Sequence, residues 1–366
     1  MYVALPCYVE HMAKGTTRLR ASCATLALVA LLLSACAPLS QPPRDSSAQV
    51  VFMTSRSAAQ VPGGTEASSW DLTVMDLDGA HRARLDSGGE QAFLPHFSPD
   101  GRKLLYTRFT VGGYGIPKSQ SRITTYDIVT TTTHDLTTGD AESYPVWSPD
   151  GTRIAFLRDA GGVGGGALWV MNADGSAPHE VARPTGGALD KLFGDIAWSS
   201  QDWILLVVGQ VGIDEQCFKT RLDKIRPDGS ARTQVTDGGP SCTPPGMEQS
   251  GDADPGFSAD GATIYTSRGF PYSPPGLPGA AVRKLYAIAS DAWYPGKTER
   301  DLSLPGEPDC VEGVPKGSPD GLRILLFRVC GAGKPGGIVV TDVNGSYRTY
   351  VTAGFGPDWN PAWSGR

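Results

Sequence analysis

The chain has 366 residues, of which 40% are hydrophobic and 19% are charged, and it carries a net charge of −6 at pH 7. This composition is typical of a globular protein, and the length suffices for one large domain or two smaller ones. The negative charge disfavours a general nucleic-acid binder, which needs a basic face to displace counterions from phosphates. The 46 glycines and 29 prolines make up about one residue in five, against roughly 12% in average usage, and this favours turn-rich β structure over long helices.

Residues 1–35 have the pattern of a secretory signal peptide. A basic segment with three cationic side chains between positions 14 and 20 precedes an apolar run from 21 to 35. The run is shorter than the ~20 residues that a membrane-spanning helix needs. The residues before Met12 add nothing recognisable, so Met12 is an alternative start of the translated chain.

The apolar run ends in Leu33-Ser34-Ala35-Cys36, a large aliphatic residue and two small ones before a cysteine. This sequence resembles the lipobox of bacterial lipoproteins. The resemblance implies diacylglyceryl transfer to Cys36 and cleavage before it, and several acyl chains suffice for stable membrane attachment. We therefore expect a lipid-anchored, extracytoplasmic protein of the cell envelope, on the outer membrane where the host has two. The alternative is an uncleaved anchor helix or a buried apolar segment.

The polar, proline-bearing residues 36–49 are typical of a semi-extended tether. The predicted organisation is therefore a signal peptide over 1–35, a lipidated cysteine and tether over 36–49, and one folded domain over 50–366.

One motif recurs through this domain, a tight turn preceded by an aromatic residue and followed by a strand-forming run. Complete copies are Leu94-Pro-His-Phe-Ser-Pro-Asp-Gly101 and Tyr144-Pro-Val-Trp-Ser-Pro-Asp-Gly151. Its serines lie 46 to 60 residues apart, a spacing that suits a propeller blade of four short strands, and they are Ser98, Ser148, Ser199, Ser258, Ser318 and Ser364. The Trp or Phe before the serine is expected to pack one blade on the next. Gly317 replaces it in the copy at Ser318, so that blade must fill the space differently.

The last copy ends the chain without a returning strand, whereas Val50 to Arg56 looks like a returning strand without a motif before it. We therefore expect the N-terminal strand to pair with the C-terminal one and to close six blades into a ring. Closure would remove the two exposed sheet edges that an open array carries.

The Pro-x-Trp/Phe-Ser-Pro-Asp-Gly repeats resemble those of the TolB-like β-propeller family over essentially all of 50–366. The resemblance implies an all-β, six-bladed propeller of four-stranded antiparallel blades. Function is less specific, because this fold is shared by very different proteins. TolB itself is a soluble periplasmic protein with an α/β domain before its propeller, whereas this chain has a predicted lipid site and a tether there.

Carboxylates recur just ahead of the motif. Glu142, Asp252, Glu312 and Asp358 each lie three residues before the motif proline, and Glu90, Asp195 and Asp254 lie at nearby offsets. Repetition around a ring would bring them toward one mouth of a central channel, where they could attract a cation such as Ca²⁺ or a basic peptide. The alternative is that they are turn and capping residues that point outward.

Four cysteines remain in the predicted mature domain, namely Cys217, Cys242, Cys310 and Cys330. An even number in an oxidising compartment favours disulfides, and three pairings are open. A four-cysteine metal site is disfavoured, because no Cys-x-x-Cys pair is present.

The function that these patterns favour is a protein- or peptide-binding scaffold of the cell envelope, monomeric and needing no cofactor. The expected partners are the membrane, through the lipid, and an envelope protein, but not nucleic acid. The competing interpretations are a glycan or carbohydrate hydrolase or lyase with an acidic site at the channel mouth, and a ligand-sensing module. A Gly-x-Ser-x-Gly nucleophile elbow is absent from the sequence, and His96 alone of the histidines lies in a motif.

Overall fold

The computed structural model describes residues 48–55, 70–85, 90–109, 121–139, 141–159, 166–184, 191–211, 218–238, 250–270, 282–291, 298–305, 307, 310–331, 336–352 and 358–364. All the described residues lie in the unit Asp45–Arg366. Within these ranges the chain forms strands and no helix. A helix able to cross a membrane is therefore not found among them.

The described strands fall into four classes by their place in the repeat. The six motif strands lead into the Ser motif, and they are β4 (Gln91–Phe97), β8 (Glu142–Trp147), β12 (Lys191–Trp198), β16 (Ser250–Phe257), β20 (Cys310–Gly317) and β24 (Asp358–Trp363). The second strands are β1 (Gln49–Ser55), β5 (Lys103–Phe109), β9 (Arg153–Asp159), β13 (Ile204–Val211), β17 (Thr263–Phe270) and β21 (Arg323–Cys330). The third strands are β2 (Trp70–Asp76), β6 (Ser121–Asp127), β10 (Gly166–Asn172), β14 (Phe218–Ile225), β18 (Val282–Ala289) and β22 (Gly337–Asp342). The outer strands are β3 (Ala83–Leu85), β7 (Thr132–Asp135), β11 (His179–Ala182), β15 (Thr233–Gln234), β19 (Glu299–Asp301) and β23 (Thr349–Tyr350).

Each set of four strands pairs in the order motif, second, third, outer. Three such sets are separate four-stranded sheets, and the three that span β8 to β19 are joined into one twelve-stranded sheet. The joints are short, a single bridge between Gly166 and Leu192 and a parallel pairing of β14 with β16. Pairing within each set is antiparallel, which confirms the predicted all-β architecture of four-stranded antiparallel units.

The Ser-Pro-Asp-Gly turn is held by the side chains that define the motif. Ser148 Oγ donates to Asp150 Oδ1 at 2.6 Å and accepts the backbone N–H of Arg153 at 2.9 Å. Asp150 Oδ1 also accepts the N–H of Thr152, and the serine bonds recur at Ser98, Ser258 and Ser318. The turn glycine adopts a left-handed φ, 71° at Gly151, that disfavours other residues. Serine, aspartate and glycine thus act together to reverse the chain.

The last copy of this turn is shared between the two ends of the described chain. β1 pairs antiparallel with β24, with Val50 opposite Trp363. Ser364 Oγ accepts the backbone N–H of Gln49 at 3.0 Å, and the Ser364 N–H donates to the Gln49 carbonyl at 2.8 Å. These are the bonds that Ser148 makes with Arg153, so Gln49 takes the place of the residue that follows the turn in the other copies.

The motif aromatic residues lie between adjacent sets of strands. Trp147 packs in one cluster with Leu105 and Ile123 of the preceding set and with Ile154 and Phe156 of its own. At Gly317 the space is filled by backbone, because a Cβ there would lie 2.6 Å from the carbonyl oxygen of Phe257. Glycine therefore replaces the aromatic residue where β16 and β20 approach most closely.

Cys310 and Cys330 form a disulfide across the first residue pair of β20 and β21. The bond closes a loop of 20 residues and fixes the start of this hairpin. Cys217 and Cys242 lie outside the described residues.

Deleting Trp359–Arg366 removes most of β24 and leaves the edge of β1 exposed. Because Val50 and Val51 are fully buried, we expect the shortened chain to unfold or aggregate. Circular-dichroism melting and size-exclusion chromatography measure this outcome. Deletion of residues 365–366 alone is the control and should leave the melting temperature unchanged. A Trp359–Arg366 deletion that melts at the parent temperature would contradict the expectation.

Candidate functional site

The six motif strands surround a central cavity of about 300 Å³. Each motif strand packs against the next one along the chain, and β24 packs against β4. The residue before the motif aromatic, or before Gly317 in β20, lines the cavity in every copy. These six residues, which we call the inner ring, are His96, Val146, Ala197, Gly256, Lys316 and Ala362.

The inner ring is chemically asymmetric. Lys316 and His96 are its polar members and are separated around the ring by Ala362, whereas Val146, Ala197 and Gly256 form a continuous apolar arc. The cavity therefore has one polar side and one apolar side.

Lys316 is the cationic centre of the polar side. Its Nζ donates to the carbonyl oxygen of Pro255 at 3.3 Å and lies 3.6 Å from Asp195 Oδ2. The lysine on β20 thereby reaches the neighbouring motif strand and the one beyond it. Asp195 is 94% buried, and burial raises its pKa to about 6 against the opposing effect of Lys316, with Asp254 adding to the rise.

His96 lines the same side, and burial lowers its pKa to about 3, with the nearby charge of Lys316 acting in the same direction. The imidazole is therefore neutral at physiological pH, with one ring nitrogen as a donor and the other as an acceptor. No hydrogen-bond partner of either nitrogen is found among the residues that the structure describes.

All six motif strands carry a bulge that the sequence did not reveal. The pairing register with the second strand shifts in the middle of β4, β8, β12, β16, β20 and β24. In the first five a residue with left-handed φ lies at the shift, and these residues are Leu94, Tyr144, Gly194, Asp254 and Val314. Bulges redirect side chains, and two of these five lie at or beside acids near the cavity, Asp254 itself and Asp195 after Gly194. Asp254 accepts a 2.7 Å hydrogen bond from Ser267 Oγ and lies 3.7 Å from Arg283.

The carboxylates that the sequence placed ahead of the motif lie at the start of the motif strands, where they are paired with arginines. Asp252 and Arg268 face each other across β16 and β17 with a 2.7 Å contact. Glu142 pairs with Arg158 at 3.0 Å, and Glu312 pairs with Arg348 at 2.6 Å and Arg328 at 3.2 Å. Glu90 contacts Arg108 and Arg122, and the side chain of Asp358 lies outside the described residues.

Aromatic rings of the third strand cover two of these arginines. The Arg158 guanidinium lies 4.3 Å from the centre of the Trp169 ring, and that of Arg268 lies 4.6 Å from Tyr286. Each arginine is thus held between a carboxylate and a ring, an arrangement that stabilises a desolvated cation. The pairs give these acids a structural role. The binding of a cation or basic peptide by Glu90, Glu142, Asp252, Glu312 and Asp358 stays a prediction.

Metal ligation has no further support from geometry. The described residues contain no group of three or more His, Cys, Asp or Glu side chains placed to hold a metal ion. The expected Ca²⁺ in the channel likewise stays a prediction.

The contact of Lys316 with Asp195 and the arginine partners of the acids are not among the features predicted from the sequence. Lys316 lies in a motif copy, but its distance to Asp195, two motif strands away, depends on the fold. The arginine partners could have been predicted from their spacing. Arg158, Arg268 and Arg328 each lie ten residues after a motif serine, and each faces an acid that lies six residues before the same serine.

The fold is that of a β-propeller, as the comparison with solved structures shows. A hydrazine synthase from Kuenenia stuttgartiensis matches 87% of this chain and 46% of its own chain with a TM-score of 0.61 at 15% identity. TolB from Acinetobacter baumannii matches 89% of this chain and 69% of its own with a TM-score of 0.61 at 17% identity. Proteins as different as these share the architecture, so the fold alone does not select a function.

In sequence, the chain is similar to TolB. The Tol-Pal system protein TolB of Anaeromyxobacter dehalogenans strain 2CP-C is 31% identical over 131 residues, which are 36% of this chain and 27% of the relative. The chain thus matches about a quarter of the length of this relative, and no family model matches it. The similarities support the TolB-like resemblance carried by the repeats.

Replacing Arg268 by methionine tests the structural role of the paired acids. The change leaves Asp252, which is fully buried, without its guanidinium, and we expect a loss of about 3–5 kcal/mol in the free energy of unfolding. The double variant Asp252→Leu with Arg268→Met should lose less, because the fully buried Asp252 charge is removed with its partner and only Glu299, 21% exposed, loses its contact with this arginine. Urea denaturation measures both.

Arg183→Met is the matched control, because Arg183 pairs with Glu180 at the surface with 66% of its side chain exposed. Such pairs contribute about 0–1 kcal/mol. A loss at Arg268 no larger than at Arg183 would contradict the structural role.

Proposed function

We propose that this protein is a lipid-anchored scaffold of the bacterial cell envelope, in which a closed six-bladed propeller binds a protein partner over its central cavity. The observation that carries the proposal is the convergence of all six motif copies on one cavity. A surface built from every repeat is held rigidly, and a rigid surface loses little entropy on binding.

Two contacts support the closed ring. The strand pairing of β1 with β24 joins the ends of the domain, and the packing of β24 on β4 continues the succession of motif strands. With both contacts, no set of four strands lacks a neighbour.

The binding surface that we propose is the face that carries the Ser-Pro-Asp-Gly turns, which we call the turn face. The cavity lining includes turn residues such as Ser200, Ala259 and Pro319. Leu322, which follows one of these turns, has 66% of its surface exposed and is one of two large apolar side chains exposed to this degree among the described residues. A rim of short turns with an exposed apolar residue beside a cavity suits a protein contact.

The comparisons support the cellular setting. Relatives that match in sequence are by name Tol-Pal system proteins, which agrees with a role in the envelope. The Leu33-Ser34-Ala35-Cys36 sequence supports attachment through lipid on Cys36, and the polar residues that follow would hold the propeller away from the bilayer. No observation favours the alternative of a glycan hydrolase or lyase over the scaffold.

Site-specific photo-cross-linking in intact cells tests the binding face. An unnatural photoreactive residue replaces Ser200 or Leu322 on the turn face, or Thr138 between β7 and β8, at the opposite ends of the strands. We expect the first two positions to capture the same single protein, because both lie near the cavity opening. Thr138 is also exposed to solvent and serves as the control that captures nothing specific. Equal labelling from all three positions, or none from any, would refute the proposed face.

Lipid attachment is tested separately by Cys36→Ala. We expect the variant to lose incorporation of labelled palmitate and to keep an uncleaved leader, because the acylated thiol is what the processing step recognises in proteins with this sequence. Metabolic labelling followed by mass spectrometry of the N terminus measures both. Cys23→Ala, in the predicted leader, is the control that should leave acylation intact. Palmitate retained in Cys36→Ala would exclude the anchor.

A further inference from the structure

We propose that the central cavity binds a carboxylate group, with Lys316 as its counter-ion, His96 as a hydrogen-bond donor and the apolar arc of the inner ring in contact with the hydrocarbon attached to the carboxylate. The inference deepens the proposed function and rests on it only for the position of the binding surface. It names the chemistry of the group that enters the cavity.

Lys316 supplies the charge. An ammonium group has three donors, and the described residues provide two contacts, the Pro255 carbonyl at 3.3 Å and the more distant Asp195 oxygen at 3.6 Å. The side chain is 14% exposed and lines the cavity. One of the three donors is therefore directed to neither contact. A largely desolvated ammonium of this kind binds an anion more strongly than a solvated surface lysine does.

His96 supplies a hydrogen-bond donor that orients the bound carboxylate. Since its imidazole is neutral at physiological pH, it adds a donor without a second positive charge. His96 and Lys316 line the same cavity and are separated around the inner ring by Ala362 alone. A carboxylate has two oxygens, one for each of these side chains.

The opposite wall suits hydrocarbon. Val146, Ala197 and Gly256 line this wall with at most a few carbon atoms each and with no polar side chain. Gly256 is fixed by packing, because a Cβ there would lie 2.2 Å from the carbonyl oxygen of Pro315, next to Lys316. A cavity of about 300 Å³ lies at the small end of ligand sites, which favours a short chain over a bulky ring system.

The contact of Asp195 with Lys316 makes a cation an unfavourable ligand of the cavity. Lys316 already occupies the position from which a bound cation would contact this acid. The acid instead competes with the proposed carboxylate for the ammonium. The charged groups that act on it are Lys316 on β20 and Asp254 on β16, with Arg283 of β18 beyond Asp254. The neighbouring strand β8 carries the Glu142–Arg158 ion pair at its start.

Equilibrium dialysis of radiolabelled pentanoate against the full chain in detergent tests the inference. Pentanol and pentylamine are the matched probes without charge and with the opposite charge. We expect pentanoate to bind with one site per chain and the other two not to bind. Preference for pentylamine, or no binding of pentanoate, overturns the proposal.

Variants assign the binding to the cavity. Lys316→Met should weaken pentanoate binding by about tenfold or more, and His96→Phe by about threefold to tenfold, in line with hydrogen bonds to charged and neutral donors. Lys284→Met, on β18 and 35% exposed, is the matched control that should leave binding unchanged. Circular dichroism confirms that each variant folds. A folded Lys316→Met that binds like the parent overturns the proposal.

Asp195→Asn gives a test in the opposite direction. Removing the competing acid should tighten binding, whereas any loss of structure would weaken it. Pentanesulfonate, which stays ionised, should for the same reason bind more tightly as the pH falls from 7.5 to 5.5 and Asp195 takes up its proton near pH 6. The pH effect should be absent in Asp195→Asn. Weaker binding in this variant, or an unchanged pH effect, counts against the proposal.

Two sources could provide the carboxylate, a free short-chain acid or the carboxyl terminus of a partner polypeptide. Acetyl-Ala-Ala-Leu with a free terminus and its C-terminal amide separate them. Tighter binding of the free-terminus peptide than of pentanoate, lost in the amide and in Lys316→Met, supports a chain terminus, and pentanoate binding without peptide binding supports a free acid. Because photo-cross-linking on the turn face reports on the partner alone, pentanoate binding with no captured protein would reject the scaffold and retain the carboxylate site.

Discussion

The rest of the structure depends on the hydrogen bonds between Ser364 and Gln49, which lie at opposite ends of the described chain. In the other copies the motif serine bonds to a residue a few positions later, so the turn is a local event. In the last copy the same bonds join two strands separated by the whole domain. A local rule of sequence thus pairs the two ends of the described chain, and the closed ring that we propose rests on this pairing.

The residues that recur in every copy determine the fold, and the residues that occur in one copy only determine the chemistry of the cavity. The paired acids and arginines recur in several copies at the start of the motif strands. They occur as pairs because a desolvated charge is stable there only with its counter-ion. Lys316 and His96 occur once each. They break the pattern of small apolar residues in the inner ring at the place where a ligand could reach them. Proteins generally break local rules at functional sites, and this cavity fits that expectation.

The sequence predicted much of the frame and little of the cavity. Turn and strand signals are local, so residues such as Pro149-Asp150-Gly151 sufficed to predict the repeats and the all-β class. The N-terminal strand could be predicted in the same way, because its residues resemble the strand that follows the turn in the other copies. The bulges could not, because a residue such as Val314 has no preference for a left-handed φ and adopts it only under the constraint of its neighbours. The acids at Glu142 and Asp252 were found, but their partners depend on strand register. The contact of Lys316 with Asp195 spans three motif strands and needs the assembled ring.

The central claim is that the domain is closed by its own two ends. A disulfide between Val51→Cys and Ala362→Cys tests it most directly, since these residues are register partners in β1 and β24. After mild oxidation, peptide mapping should find the two positions joined in nearly all molecules. Val50→Cys with Ala362→Cys is the out-of-register control that should stay reduced, because Val50 packs on the other face of the sheet. Cysteines that remain unlinked in folded protein would contradict closure.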